Sequence, residues 1–595
     1  MDFRRLFDLL HYQQARFPNK AALLERGHME WQAWSTEACI QRMDELSAAL
    51  LELGLTRGDR AGIYSGGGSP DWILLDLALQ QIGVVVVPLH AGLHDEELEY
   101  MLKASGVRAC FTSDREGYMH LDALRPQVRS LEFLFTFRSL PDLPSLEEHI
   151  RVPSPEHLEY IQTLRAGIHE DDLVTILFTS GTSGKPKGVC LSHKNIISNL
   201  KSVIAIVPVN CHKRVISFLP LSHIFERVVV YTYLAVGASV YFAERPSQLL
   251  TNLKEVRPHY LTVVPLVLER FYEDIQRYAR QRGGMRKRLI EWAIELGKKY
   301  NGRFRIAPWY WFKLLVADLI VYRQWRRQLG GKLEGIVSGA AALRPELSRL
   351  FSAAGLEVRE GYGLTEASPV VSCNRFEPGG FRFGTAGIPI PGVQVRIAEE
   401  EGQDGAGIIE VKGPNVMLGY LDDEKSTREV ISEDGWLHTG DIGFMENRRF
   451  LHVIGRGSNV FKTASGQFVS VRRVEQHLER SPFVHQAMVL GRNQPWLGAL
   501  LVPDMEHLQA WCMRHEVHWT APNYMIFNTL VLQHFEEVIA HLNENLPGYE
   551  RIKSFQLVAE PWSIENGTMT PTMKLRRAVI EEKNTKAIER LFPET

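Results

Sequence analysis

The chain has 595 residues, 45% of them apolar, and a formal charge of −2. That length supports two or more domains with sizeable cores, and near-neutrality gives no global reason to expect nucleic acid as a partner. Six cysteines are scattered without a C-x-x-C pair, which argues against a zinc site or a disulfide framework and fits a reducing, cytoplasmic compartment.

The opening stretch MDFRRLFDLLHYQQARFPNK sets apolar residues at helical spacing among charges and glutamines. No small-residue cleavage site follows an apolar run there, so no secretory signal is expected. Short β-branched runs then recur: RAGIYS (60–65), GVVVVPL (83–89), LVTILFTS (173–180), RVISFLPL (214–221), ASVYFA (238–243) and LTVVP (261–265). Between them lie longer amphipathic stretches such as ELEYMLKASG and ELSRLFSAAG. Buried strands alternating with helices predict a parallel sheet, hence an α/β fold.

Residues 280–332 hold fourteen Lys and Arg against three acids, interleaved with Trp292, Phe304, Trp309, Tyr310, Trp311, Phe312, Tyr322 and Trp325. Two readings compete: peripheral contact with the cytoplasmic face of an anionic membrane, or a helical subdomain whose aromatics pack inward. The apolar run within this segment, 308–322, is interrupted by Lys313 and Asp318 and is too short for a comfortable bilayer span.

From Gly407 onward, IIEVKGPNVMLGYL and WLHTGDIGFMENRRFLHVIGR alternate apolar and polar residues like antiparallel strands joined by Gly, Asn and Asp turns. A smaller unit follows, with GSNVFKTASGQ (457–467), a helical VRRVEQHLER, a strand-like HQAMVLG and a charged tail. The boundary is expected in the turn-rich link, giving domains 1–458 and 459–595 with Asn459 at the hinge.

One loop, TSGTSGKPKG (179–188), packs three glycines, four hydroxyls and two lysines into ten positions. It is not a Walker loop, because Thr179 and Pro186 stand where that pattern needs Gly and Ser or Thr. Pro186 also resists a helix interior, so the loop cannot run straight into a phosphate-cradling helix. Alone, it is more often a plain turn than a phosphate site.

Further motifs follow in order: FLPLSHIFERV (218–228), VSGAAAL (337–343), EGYGLTEAS (360–368), WLHTGD (436–441), GRGSNVFKTASGQFVSVRRVE (455–475) and TPTMKLRR (570–577). Together with the loop they closely resemble the adenylate-forming, AMP-binding acyl-CoA synthetases. LPLSHIFERV and TPTMKLRR point to the long-chain fatty acid branch. The resemblance runs from RGDRAGIYS to Arg577.

This resemblance implies a large N-terminal domain of stacked α/β subdomains with a β-barrel-like part, and a small, mobile α+β C-terminal domain. It implies a ligase that uses ATP, Mg2+ and CoA to convert a fatty acid first to acyl-AMP and then to acyl-CoA. Thr179, Ser180, Gly181, Thr182, Ser183, Gly184 and Lys187 would hold the β- and γ-phosphates. Gly339, Gly361, Tyr362 and Gly363 would line the nucleotide, with Tyr362 along adenine. Thr365 would touch the attacked phosphate and Glu366 would ligate magnesium, while Asp441 and Arg456 would fix the ribose. Lys574 would enter during adenylation, the segment holding Gly466 would serve the CoA step, and His223 would stand at the acyl wall.

Each assignment has an ordinary alternative: Glu366 and Asp441 as solvated turn carboxylates, Lys574 as part of a charged face with Arg576 and Arg577, His223 as a satisfied core residue. Departures from the family pattern fall at Ser458 and Asn459 in the hinge, at Gln467 and Val471 near the CoA contacts, and at Arg227, where some relatives place an aromatic gate. Transfer to a carrier protein, or an inactive lipid-binding relative, are the competing functions. Chain length, unsaturation and oligomeric state stay open.

Overall fold

The computed structural model describes residues 1–27, 30–180, 185–243, 245, 248–302, 307–399, 405–457, 460–462, 468–492, 494–563, 565–569 and 575–592. The chain folds as two compact units. One comprises residues 1–396, 410–439 and 445–452, the other residues 397–409, 440–444 and 453–595.

Two sheets build the first unit. In the seven-stranded sheet the order is Gly419–Tyr420, Pro186–Ser192, Leu173–Ser180, Val85–His90, Arg60–Ser65, Ala109–Thr112 and Phe133–Thr136. The strands from Leu173–Ser180 through Phe133–Thr136 run parallel. Val85–His90 is buried at all but its last position, as a strand covered by helices on both faces must be. Pro186–Ser192 turns back antiparallel on Leu173–Ser180, so the chain after the glycine-rich loop continues as a strand and not as a helix, as expected from Pro186.

The nine-stranded sheet has a parallel centre of Ser239–Phe242, Arg214–Ser217, Tyr260–Val263, Gly335–Ser338 and Val358–Gly363. Val370–Cys373 and Ile388–Pro389 extend it antiparallel.

Helices Pro70–Gln81 and Ile224–Ala235 are buried almost all round, which obliges their polar residues to pair. Arg227 and Asp76 are both fully buried. Arg227 donates to Asp76 through Nη2 and through Nε at 3.1 Å, to the Tyr231 hydroxyl at 2.9 Å, and to Thr175 Oγ1 at 2.8 Å. Gln80 adds a donor to Asp76 at 2.8 Å. The network ties both helices to the strand that leads into the hairpin loop.

The aromatics of the basic segment divide between core and surface. Tyr322 and Trp325 are buried in the core, whereas Trp309, Trp311 and Phe312 on helix Pro308–Ala317 are 66%, 55% and 53% exposed.

In the second unit Val484–Leu490 pairs antiparallel, and Ile552–Leu557 parallel, with the central strand Leu497–Pro503. Alternate residues of the central strand serve opposite cores: Leu501 packs with Val474, Leu508 and Phe535, while Leu500 and Val502 pack with Trp562, Ile580 and Leu591.

Candidate active site

A cavity of about 500 Å³ opens in the first unit. One wall is helix Ile224–Ala235, whose residues Phe225, Val228, Val229 and Thr232 form a stripe at helical spacing. Val203, Ile206 and Val207 line another side, Tyr260, Thr262 and Val337 contribute from the sheet, and Val264 lies just beyond the end of its strand. Most of this surface is apolar. Glu226 is a buried polar spot on it; burial pushes its carboxyl up to about 8, against the hydrogen bond from Ser217 Oγ at 2.5 Å.

The same wall contains His223, Gly339, Gly361, Tyr362, Gly363 and Thr365, so residues from three separate motifs meet around one space. His223 precedes the helix, with His90 beside it at a ring separation of 5.8 Å. Desolvation first, and His90 second, lower its pKa. Two glycines are required by close approach: a Cβ on Gly339 would come 2.7 Å from the Phe225 ring, and one on Gly363 would run into the Pro369 carbonyl. Arg227 is absent from the cavity wall among the described residues; it faces Asp76 and so cannot act as a gate.

The turn Thr365–Ala367 is held from outside. Asn415 Nδ2 donates to the Ala367 carbonyl at 2.8 Å, and Asn199 Nδ2 donates to the Val370 carbonyl at 2.7 Å. The Glu366 carbonyl accepts from Met417 N at 2.9 Å, and its carboxylate accepts from the Tyr420 hydroxyl at 3.2 Å. Lys187 lies 4.8 Å above the Tyr420 ring and donates to Ser426 Oγ at 2.7 Å. The hairpin register sets Thr179 opposite Lys187 and Ser180 opposite Pro186, which brings the two ends of the loop together. Lys185 is exposed, 5.7 Å from the Tyr100 ring. Tyr420, Asn199 and Asn415 escaped the sequence reading. The signal for Tyr420 was an aromatic within MLGYL, a stretch read only as a strand.

In the second unit Asp441 is 8% exposed at its side chain and pairs with Arg456 at 3.0 Å. The remaining expected residues, Gly181, Thr182, Ser183, Gly184, Asn459, Gly466 and Lys574, lie outside the described residues, as does the Ser180 side chain.

Residues 10–421 match the AMP-binding enzyme family, and residues 460–595 match the AMP-binding enzyme C-terminal domain. The chain belongs to the AMP-binding enzyme family. Among relatives of this AMP-binding enzyme, the long-chain-fatty-acid–CoA ligase FadD15 of Mycobacterium bovis is 30% identical over 94% of this chain and 92% of its own length. The peroxisomal long chain acyl-CoA synthetase 6 of Arabidopsis thaliana is 31% identical over 92% of this chain and 80% of its own. The fold is shared with ATP-bound MatB from Rhodopseudomonas palustris, with a TM-score of 0.66, 22% identity, and coverage of 98% and 99% of the two chains. A Mycobacterium tuberculosis fatty acyl CoA synthetase gives a TM-score of 0.62 at 18% identity over 98% and 99% of the two chains.

Among the described residues no group of three or more His, Cys, Asp or Glu could hold a metal ion. Magnesium in nucleotide sites takes one or two carboxylates and completes its shell with phosphate and water. The single Glu366 carboxylate, oriented by Tyr420, fits that role in an AMP-binding enzyme.

Proposed function

We propose that this AMP-binding enzyme is a long-chain fatty acid–CoA ligase. A carboxylate oxygen of the fatty acid attacks the α-phosphorus of ATP, giving acyl-AMP and pyrophosphate. The CoA thiolate then attacks the acyl carbonyl, and AMP leaves with the bonding electron pair. The observation that carries this reading is the apolar cavity whose wall continues into Gly339, 361–363 and Thr365: a long hydrocarbon and a phosphate-bearing head would find suitable surfaces in one space.

Bringing a carboxylate against a phosphate anion costs about 4 kcal/mol at about 4 Å and an effective dielectric of ~20, a rate factor of ~10³. Lys187, the hydroxyls and N–H groups of the hairpin loop, and Thr365 oppose that repulsion. Glu366 holds magnesium, which when bound neutralises phosphate charge. Tyr362 lies along adenine, Asp441 and Arg456 hold the ribose, and Lys574 balances charge on the attacking and bridging oxygens. Residues 1–458 carry the adenylation site, and residues 459–595 turn about Asn459 between the two steps, with the segment containing Gly466 serving the CoA step.

The testing experiment measures pyrophosphate, AMP and thioester with octanoate, palmitate and behenate, with CoA present, absent, or replaced by a carrier protein. Thioester with CoA alone supports the ligase. Transfer to the carrier protein alone, or no pyrophosphate with any acid, refutes it.

A specific observation also favours peripheral contact with an anionic membrane. Trp309 and Phe312 stack on the exposed face of helix Pro308–Ala317, with Lys313 Nζ 5.4 Å from the Trp309 ring, a pairing of apolar rings and cations suited to a lipid headgroup region. Among the described residues no helix is long and apolar enough to cross a membrane. Flotation with anionic vesicles at low salt should carry the protein upward, and Trp309→Ala with Trp311→Ala should weaken it. Absence of binding by the parent protein refutes the contact.

A further inference from the structure

The second unit contains an ion pair, buried at its carboxylate and partly exposed at its guanidinium, with no part in the scheme above. The Glu475 side chain, on helix Val471–Leu478, is 1% exposed and pairs with Arg577 Nη2. Its Oε1 also accepts from the Val489 N–H at 2.9 Å, and Arg577 Nη1 donates to the Val489 carbonyl at 3.1 Å. Arg577 is therefore clamped to both a helix and the edge strand Val484–Leu490.

Immediately before Arg577 the chain is paired back on itself. Leu575 bridges Met569, and Arg576 N donates to the Thr568 carbonyl at 2.8 Å. Residues 570–574, ending in Lys574, lie outside the described residues, but both of their flanks are fixed by these contacts. Replacing a buried ion pair with apolar groups is often neutral for stability, so stability alone is a weak reason for this one.

We infer that Glu475 and Arg577 are positioning residues for Lys574, fixing the C-terminal flank of the segment that delivers it. This rests on the reading that Lys574 serves the adenylation step. A misplacement of about 1 Å at a reacting group costs up to ~10²-fold in rate, and loss of the clamp should fall on that half-reaction alone.

The test uses the full-length protein and separates the half-reactions: pyrophosphate release from ATP and palmitate without CoA, and thioester formation from supplied palmitoyl-AMP. Glu475→Gln keeps an acceptor for Val489 but removes the charge that holds Arg577. The paired change Glu475→Leu with Arg577→Met removes both charges at once, so that a foldable variant without the clamp is available. Each should lower the adenylation kcat ~10- to 100-fold, leave the KM for ATP nearly unchanged, and leave thioester formation intact. Arg577→Lys should retain much of the rate. Lys574→Ala is the control, and if it leaves adenylation intact the underlying reading of Lys574 is wrong. If Lys574→Ala abolishes adenylation while Glu475→Gln and the paired change spare it, or depress both half-reactions equally, the positioning role is wrong.

Discussion

Replacing Val229 with tryptophan should shorten the acyl chains the enzyme accepts. Val229 lies on the cavity stripe of helix Ile224–Ala235, four residues beyond Phe225 and four before Tyr233, and all three line the cavity. At 1.5 Å per residue, the stretch from Val229 to Tyr233 is ~6 Å long. An extended chain advances ~1.2 Å per bond, so a bulky ring at Val229 excludes about five methylenes. Each buried methylene contributes ~0.8 kcal/mol, giving ~4 kcal/mol, or nearly 10³-fold in kcat/KM for a long chain as an upper bound. The assay is kcat/KM for acyl-CoA formation with octanoate, laurate, palmitate and stearate. Palmitate and stearate should lose most, and octanoate should change little. Equal loss on every acid, or no change on any, would refute the account of this cavity as the acyl site.

Tyr420→Phe removes the hydroxyl that Glu366 accepts from; a hydrogen bond to a charged group is worth ~1.5–3 kcal/mol, so pyrophosphate release should slow ~10-fold or more with the melting temperature unchanged. Arg227→Leu leaves the Asp76 carboxylate buried without its cation and should cost ~3–5 kcal/mol in denaturant unfolding, with Asp76→Asn added to it recovering part of the loss. Burial lowers the pKa of His193 to about 3 and, with help from the Arg165 charge, that of His11 to about 4. Below their ordinary value near 6.5 the unfolded chain binds protons that the folded chain does not, so stability should fall as pH drops from about 6.5 toward 4, and His193→Asn should flatten the slope of denaturant stability against pH.

Much of the large unit was legible because its strands are buried on both faces. RAGIYS corresponds residue for residue to Arg60–Ser65, and LVTILFTS to Leu173–Ser180, since a parallel strand covered on both faces reads as a largely apolar run. That no helix directly follows the glycine-rich loop was legible from Pro186. Arg227 was harder. Its partner Asp76 lies 151 residues away in sequence, and nothing within FLPLSHIFERV marks that pairing. The face toward the cavity is set by Phe225, Val228, Val229 and Thr232. Tyr420, Asn199 and Asn415 act through contacts 48 to 171 residues away in sequence, and no local pattern marks such a partner. The clamp between Glu475 and Arg577, 102 residues apart, was hidden for the same reason: each looks like one charge in a charged stretch.

Attack of the fatty acid carboxylate on the α-phosphorus has a signature in the products. If palmitate carries ¹⁸O in both carboxylate oxygens, one labelled oxygen must end in AMP and the other must remain in the palmitoyl-CoA carbonyl. Mass spectrometry of AMP after turnover with ATP and CoA tests this directly. The account predicts AMP bearing one ¹⁸O together with pyrophosphate. Unlabelled AMP, or ADP and labelled phosphate in its place, would contradict it.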